Sequence, residues 1–255
     1  MNRYILIGDL HANHIGLEKL LKLAKYNENE DCLIFLGNYI DNLNYNKFSA
    51  KKTVDHLLKL KSKSEKIFFV KGNNDLFFIN LLNSKKFSSV WIRNGGRQIL
   101  QSYGINDFDK LQLQIEKIPY SHRLFFSNIL QDYYIDKNII AVHGGFVNEE
   151  QMIAVSNNEV LSSELLHQIT WDKKFIFSKL DEDKNMFKKY FKNRKLIVGN
   201  TPYGPYQNNK NLNWLLVDGG SKIGKKQLGL IIENDNYNFI NEDGFIDFND
   251  NQLYK

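Results

Sequence analysis

Side chains that can bind a metal ion recur along this sequence, each directly after a short apolar run. Carboxylate, amide and imidazole groups are common ligands of divalent cations, and ligands of open α/β sheets bind outside the carboxyl ends of the strands. Asp and Asn are also ordinary turn residues, but six successive run ends that carry such groups indicate one shared site. The set comprises Asp9, His11, Asn38, Asp41, Asn73, Asn74, Asp75, His143, Asn200 and Asp218.

The apolar runs that precede these residues are rich in β-branched and aromatic side chains, which is typical of strands buried on both faces. Leucines at helical spacing in residues 16–26 and 50–61 separate the first three runs, which favours βαβ units and a largely parallel sheet. The runs are YILIGD (4–9), CLIFLGN (32–38), KIFFVKGN (66–73), NIIAVHGG (138–145), KLIVGN (195–200) and WLLVDGG (214–220).

The rest of the chain divides into a helical and an antiparallel part. Residues from about 76 to 135 are predicted to be mostly helical, with breaks at 93–98 and at Pro119. After Trp214 the pattern becomes antiparallel, since the apolar runs 228–233 and 237–240 flank the turn sequence NDN. No Pro-rich or Ser-rich linker interrupts the sequence, so we expect a single domain over residues 1–255.

Composition limits the class of protein. The chain has 255 residues, 42% of them hydrophobic, which is enough for a full core in one large domain. No apolar run is long enough to span a membrane, and the N-terminal residues lack the features of a signal peptide. The single cysteine, Cys32, favours a cytoplasmic location. The net charge of +5 is spread over lysine-rich helix faces, so binding of nucleic acid is not expected.

Five short motifs resemble those of the calcineurin-like metallophosphoesterases, in particular the phosphoprotein-phosphatase branch. The family motifs are Gly-Asp-x-His-Gly, Gly-Asp-x-Val-Asp-Arg, Gly-Asn-His-Glu/Asp, His-Gly-Gly and Gly-His-Thr-Pro. Each tetrapeptide alone is weak, but the set occurs in the right order between residue 4 and about residue 232. The corresponding stretches are GDLHAN (8–13), GNYIDN (37–42), GNND (72–75), HGG (143–145) and GNTP (199–202), and residues 91–104 and 218–220 are also similar to bacterial members.

This resemblance implies a four-layer αββα sandwich of two mixed β-sheets with a helical insertion at about 76–135. It also implies two divalent metal ions (Mn, Fe or Zn) that are bridged by a carboxylate and a hydroxide. Two cations activate the attacking water and neutralise charge on the phosphoryl oxygens.

Five positions match the family. By resemblance, Asp9 and His11 are ligands of the first metal, Asn73 and His143 are ligands of the second metal, and Asp41 orients the general acid.

Four positions depart from the family. Asn38 stands where the family has the bridging aspartate, and Asn74 stands where it has the general-acid histidine. Asn42 replaces the phosphate-binding arginine, and Asn200 replaces a histidine ligand of the second metal. An amide carries no charge and no titratable proton, so we expect at most one metal site to be occupied and catalysis to be impaired.

Neighbouring residues are candidates to compensate for these losses, although ordinary roles are available for each of them. Arg93, Arg97 and Lys173 are candidate phosphate-binding residues, with the alternative of plain surface charges. His14 is a candidate to reach the site, against an exposed position in a first helical turn. A final group is expected to be unconnected with catalysis: His56, His122, Tyr203 and Tyr206.

Three functional hypotheses stay open. The first is a catalytically impaired phosphatase-like protein that binds a phosphorylated protein, a small phosphoester or a protein partner. The second is an active phosphoesterase with a one-metal centre, acting on phosphoprotein, a phosphomonoester or a dinucleoside polyphosphate. The third is an interaction scaffold whose function lies on another surface.

Overall fold

The structure of the protein is a computed structural model. It describes residues 3–41, 48–108, 110–173, 181–208 and 214–246, with only the backbone described at 181–184 and 206–208. Within these ranges no helix is both long and apolar enough to cross a bilayer.

The first sheet has six strands in the order β11-β10-β9-β1-β2-β3. Strands β1, β2 and β3 are parallel, whereas β9 pairs antiparallel with β1, and β10 and β11 continue the antiparallel edge. The hairpin turn between β9 and β10 places Asn234 and Asp235 at positive φ, as a tight two-residue turn requires. The strands are β1 (Tyr4–Ile7), β2 (Cys32–Phe35), β3 (Ile67–Phe69), β9 (Leu228–Glu233), β10 (Asn236–Asn241) and β11 (Gly244–Phe245).

The second sheet has five strands in the order β4-β5-β6-β8-β7. Strands β5, β6 and β8 are parallel, and β4 and β7 pair antiparallel at the two edges. The strands are β4 (Tyr134–Ile135), β5 (Ile139–Val142), β6 (Lys195–Val198), β7 (Tyr206–Asn208) and β8 (Trp214–Leu216). The antiparallel hairpin predicted from the runs 228–233 and 237–240 is confirmed as β9 and β10, whereas β8, which begins at Trp214, is parallel to β6 and antiparallel to β7.

Ten α-helices are present in the described ranges, together with short 3-10 and π-helical turns. Several begin with a side-chain cap, such as Asn13, whose Oδ1 accepts a hydrogen bond from the backbone N–H of Gly16 at 2.8 Å. The α-helices are α1 (His14–Leu23), α2 (Ala50–Lys61), α3 (Asn73–Ser84), α4 (Ser89–Trp91), α5 (Arg97–Ser102), α6 (Leu111–Gln114), α7 (Tyr120–Leu124), α8 (Glu149–Ser156), α9 (Ser163–Trp171) and α10 (Asp181–Phe191).

Alternate residues of each strand enter different hydrophobic layers, because successive side chains point to opposite faces of a sheet. In β1, Tyr4 and Leu6 pack against the second sheet, whereas Ile5 and Ile7 pack against α1, α2, α3 and the helical segment after α3. The outer face of the second sheet packs against α8, α9 and α10. These layers form helices, sheet, sheet and helices, which confirms the predicted αββα sandwich. The helical insertion at about 76–135 is also confirmed, with β4 at its end.

Candidate active site

The six predicted strand ends meet at one edge where the two sheets face each other. Seven of the ten strand-end residues line a cleft of about 330 Å³ there. Asp41 and His143 lie just behind it and are fully buried. The seven that line the cleft are Asp9, His11, Asn38, Asn73, Asn74, Asn200 and Asp218.

Tight turns aim these side chains into the cleft. His11, Asn38 and Asn200 have positive φ angles of 46°, 54° and 56°, a region that asparagine tolerates better than most other residues. Gly37 precedes Asn38 with φ +102°, and a Cβ there would lie 2.5 Å from the backbone nitrogen of Gly72. A side chain at position 37 would therefore push apart the loops that follow β2 and β3.

Asn38 lies at the centre of the site, and both ends of its side-chain amide are hydrogen-bonded. Its Nδ2 donates to Oδ2 of Asp9 at 2.9 Å, and its Oδ1 accepts from the backbone N–H of Asn74 at 2.9 Å. The amide therefore presents a donor, not a lone pair, to the Asp9 carboxylate.

Asp75 accepts hydrogen bonds from the backbone of the turn that contains Asn38. Its Oδ2 accepts from the backbone N–H groups of Asn38 at 2.7 Å and Gly72 at 2.8 Å, and its Oδ1 accepts from that of Tyr39 at 3.0 Å. Complete burial raises the pKa of the Asp75 carboxyl to about 7. The sequence placed Asp75 at a strand end without a role, and the structure shows that it joins the loops after β2 and β3.

Asn73, Asn200 and His143 form a second cluster, at the side of the second sheet. Nδ1 of His143 donates to the carbonyl of Leu36 at 2.5 Å, and burial lowers the pKa of this imidazole. Neutral His143 therefore has its lone pair on Nε2, which lies 3.4 Å from Oδ1 of Asn73. Nδ2 of Asn73 is 3.3 Å from Oδ1 of Asn200, whose own Nδ2 donates to the carbonyl of Thr170 at 3.0 Å. Two acceptor atoms, one on His143 and one on Asn73, thus face each other.

Asp9 and His11 carry opposite charges in this cleft. Burial alone would raise the pKa of Asp9, but the imidazoles of His143 and His11 lower it to about 2. Burial alone would lower the pKa of His11, but Asp41 and Asp9 raise it to about 10. Nε2 of His11 is 3.6 Å from Oδ2 of Asp9. The buried Asp218 carboxyl lies near the same charges, and burial together with Asp9 raises its pKa to about 7.

Asp41 contacts His11 and Lys222, and its role in orienting a general acid stays a prediction. One carboxylate oxygen is 3.1 Å from Nδ1 of His11, and the other accepts from Nζ of Lys222 at 2.8 Å. The described contacts of Asp41 therefore join it to His11 and Lys222, and none joins it to the Asn74 side chain. Lys222 also lines the cleft, and the sequence reading missed it because no motif includes a residue 181 positions away from its partner.

The candidate phosphate-binding residues have different placements. Lys173 lines the cleft. Arg93 and Arg97 are exposed and are not among the residues that line it, and the Arg97 guanidinium lies 4.6 Å from the ring centre of Phe108. Asn42 lies outside the described residues. The roles of all four in phosphate binding stay predictions.

The histidines set aside in the sequence have other contacts. His14 begins α1 and is half-buried, outside the set of residues that line the cleft. His56 pairs with Glu18 at 3.2 Å. His122 is buried between Tyr103 and Asp55, at 3.0 and 2.9 Å from its two ring nitrogens.

Comparison with known proteins places the sequence in a family. Residues 3–220 match the family model described as calcineurin-like phosphoesterase. No curated protein matches the chain.

Solved structures share the fold at low identity. A cold-active protein-tyrosine phosphatase from the psychrophile Shewanella sp. has a TM-score of 0.66 and 16% identity over 95% of this chain and 78% of that chain. A putative diadenosine tetraphosphatase has a TM-score of 0.60 and 14% identity over 94% and 93% of the two chains. A protein serine/threonine phosphatase from Saccharomyces cerevisiae has a TM-score of 0.55 and 11% identity over 97% and 81%.

The family match covers the loops after β1, β2, β3, β5, β6 and β8, which carry the clustered polar residues. By its sequence match and its fold, the chain belongs to the calcineurin-like phosphoesterase family.

Proposed function

We propose that this protein is a phosphatase-like member of its family that does not hold a pair of metal ions. On this proposal it binds a phosphorylated protein, a small phosphoester or a protein partner in the cleft, with catalysis impaired or lost. We also propose a cytoplasmic location, because the only cysteine is a buried free thiol.

The hydrogen bonding of Asn38 is the observation that carries the proposal. In a dinuclear centre the bridging position supplies electron pairs and negative charge to two cations. Here the neutral amide of Asn38 donates to Asp9 and accepts from the backbone of Asn74. A cation at this point would meet an N–H donor in place of a carboxylate oxygen, and cation binding would first have to break the bond to Asp9.

The second cluster supports the same conclusion. His143, Asn73 and Asn200 offer one imidazole and two amides, with no carboxylate among them. Neutral oxygen ligands can bind a hard cation but contribute no charge to hold it against water. In the parts of the chain that the structure describes, no three His, Cys, Asp or Glu side chains form a group able to hold a metal ion.

Loss of the general acid is independent of metal binding. Asn74 has no titratable proton, and general acid catalysis contributes about 10²–10⁴-fold where it operates. Restoring the metal site alone would therefore leave protonation of the leaving group without its acid at position 74.

A single divalent ion (Mn, Fe or Zn) fits the remaining residues better than a pair. Asp9 and His11 would hold it, with the ion displacing the proton that Asp41 and Asp9 stabilise on His11, and such an ion would polarise a bound phosphoryl group. The closeness of these two side chains, with Nε2 of His11 3.6 Å from Asp9, favours the second candidate function. That candidate is an active one-metal phosphoesterase acting on phosphoprotein, a phosphomonoester or a dinucleoside polyphosphate.

Metal analysis combined with a hydrolysis assay tests the proposal. We expect purified protein to retain fewer than about one equivalent of metal after dialysis, and to hydrolyse p-nitrophenyl phosphate no faster than an Asp9→Ala control with Mn, Fe or Zn. Metal-dependent turnover that Asp9→Ala abolishes would favour the one-metal enzyme. Stabilisation by phosphate without turnover would favour the binding protein, and no response to either would favour an interaction scaffold.

A restored variant provides the complementary experiment. The combined changes Asn38→Asp, Asn42→Arg, Asn74→His and Asn200→His return the bridge, the clamp, the acid and the missing ligand to the family pattern. We expect this variant to bind two metal ions and to hydrolyse p-nitrophenyl phosphate measurably. If the variant is folded and metal-loaded but inactive, the four asparagines are not the cause of impairment.

A further inference from the structure

Lys222 lies at the wall of the cleft in a fixed position. It belongs to the short turn Ser221–Ile223, which follows Gly220 at φ +86°. Its side chain is 30% exposed, and its Nζ donates to Oδ2 of the buried Asp41 at 2.8 Å. The ammonium is therefore anchored at one end of the cleft although its side chain still faces the opening.

Successive contacts join Lys222 to the centre of the site. Asp41 lies 3.1 Å from Nδ1 of His11, and Nε2 of His11 lies 3.6 Å from Asp9. An ammonium group has three N–H donors, and the bond to Asp41 uses one of them. Lys222 thus brings donors and positive charge beside the residues at which a phosphoryl group would be recognised.

The anionic side chain closest to the centre is already hydrogen-bonded. Oδ1 of Asp9 accepts from the backbone N–H of Asn200 at 3.0 Å, and Oδ2 accepts from Asn38 at 2.9 Å. A second lysine, Lys173, lines the same cleft and is exposed. Together with His11, the two lysines offset the carboxylates of Asp9, Asp41 and Asp218, so a phosphate anion meets no net negative charge in the cleft.

The rim of the cleft is apolar. Val90, Trp171 and Ile223 line it and are exposed by 53%, 39% and 61%. The Trp171 indole is held between His167, stacked at 5.7 Å, and Phe77, edge-on at 5.9 Å between ring centres. An exposed indole in a fixed orientation beside a cationic wall favours a ligand with an aromatic group next to its phosphate.

We propose that Lys222 is the phosphate-binding cation of this cleft and that the ligand is an aryl phosphate whose ring contacts Trp171. This inference rests on the proposed function, since it assumes that the cleft binds a phosphorylated ligand. It adds the residue that recognises the phosphate and the chemical class of the group attached to it. A purely structural role for Lys222, as the counter-ion of Asp41, is the alternative that the experiment has to separate.

Calorimetric titration of metal-free protein with phenyl phosphate, glycerol 2-phosphate and inorganic phosphate tests the inference. We expect phenyl phosphate to bind at least about threefold more tightly than the other two, since its ring buries apolar surface. Lys222→Gln should weaken binding of all three probes by about tenfold or more, the loss typical of a charged hydrogen bond. Lys222→Arg should retain binding, and Trp171→Ala should weaken phenyl phosphate alone.

Lys225→Gln is the matched control, because Lys225 lies in the same loop but lines a different cavity. It should bind every probe as the wild-type protein does. Lys173→Gln should weaken binding by a smaller factor than Lys222→Gln, since Lys173 is exposed and its charge is more screened by solvent.

Different results would overturn the phosphoester-binding function and the role of Lys222. If the wild-type protein binds none of the probes at millimolar concentration, both the phosphoester-binding function and the Lys222 assignment are overturned. If it binds them and folded Lys222→Gln binds equally well, only the Lys222 assignment is overturned. If Lys222→Gln does not fold, isotope-labelled lysines in the wild-type protein are followed by NMR during titration with the probes. The Lys222 signal is identified by its absence from the spectrum of Lys222→Arg. If that signal does not shift when a probe binds, the role given to Lys222 is overturned.

Discussion

Replacing the central amide by a carboxylate tests the physical basis of the proposed function. In Asn38→Asp, the donor that now lies 2.9 Å from the Asp9 carboxylate becomes a second carboxylate oxygen. Without metal, two ionised carboxylates at about 3 Å would repel by about 6 kcal/mol at an effective dielectric constant of about 20. Protonating one of them at pH 7 costs about 4 kcal/mol, since the ordinary pKa of Asp is about 3.9. Proton uptake therefore limits the loss, and we expect the metal-free variant to be less stable by about 3–4 kcal/mol.

Adding metal and lowering the pH should each restore part of the stability that Asn38→Asp loses. A cation that binds only the folded variant stabilises it by about 2.7 kcal/mol at 100 times its dissociation constant. The carboxylate pair binds an extra proton in the folded state, so the stability of the metal-free variant should rise as the pH falls from about 8 to 6. The wild-type protein lacks the second carboxylate and should gain less than about 1 kcal/mol from the same metal.

Urea unfolding at pH 7 in EDTA and in millimolar Mn²⁺, followed by circular dichroism, measures both effects. Asn29→Asp introduces the same charge at an exposed position and should change stability little in either condition. If the wild-type protein gains as much from Mn²⁺ as Asn38→Asp does, the amide of Asn38 does not exclude a metal pair, and the proposed function loses its main support.

Three further predictions concern the fold around the site. Asp75→Ala removes the acceptor of three buried backbone N–H groups, and each such group costs about 1–3 kcal/mol when it is left unsatisfied. Urea unfolding should therefore show that the free energy of unfolding falls by about 3–5 kcal/mol. A decrease below about 1 kcal/mol would contradict the role given to Asp75. Burial lowers the pKa of His122, so the unfolded state takes up its proton first, and the contribution of His122 to stability should decrease as the pH falls from about 7 to 5. Over this range His122→Gln should therefore lose less stability, or gain more, than the wild-type protein does, and an identical pH dependence would exclude a contribution from His122. Burial also raises the pKa of the Cys32 thiol from 9.0 to about 11, and only the thiolate reacts with iodoacetamide. Alkylation at pH 8 should therefore be about 100-fold slower in the native protein than in urea. Equal rates would show that the thiol is exposed.

Local sequence features were sufficient to predict the secondary structure that forms the scaffold. The buried run ending at Ile7 and its five counterparts predicted the six strands, because continuous β-branched and aromatic runs are a property of neighbouring residues. The helical segment after Asn73 and the hairpin after Leu228 were recognisable for the same reason. The polar residues at the ends of the six runs could be assigned to one site because parallel strands present their carboxyl ends at a common edge.

Contacts between distant parts of the chain were beyond this reasoning. Local pattern did not reveal that β8 lies parallel to β6, since strand pairing depends on which surfaces pack together. Nor did it reveal that Asp75 would accept three backbone hydrogen bonds from two loops.

The sequence by itself determined which groups stand at the strand ends, including the four asparagines and the loss of charge that they bring. Only the tertiary structure decided how those groups are used. It showed that both ends of the Asn38 amide are hydrogen-bonded, and that Lys222 reaches Asp41 across 181 positions of the chain. The physical reason is that residue type fixes charge and donor capacity, whereas the partner of a donor depends on distances that only the folded chain sets.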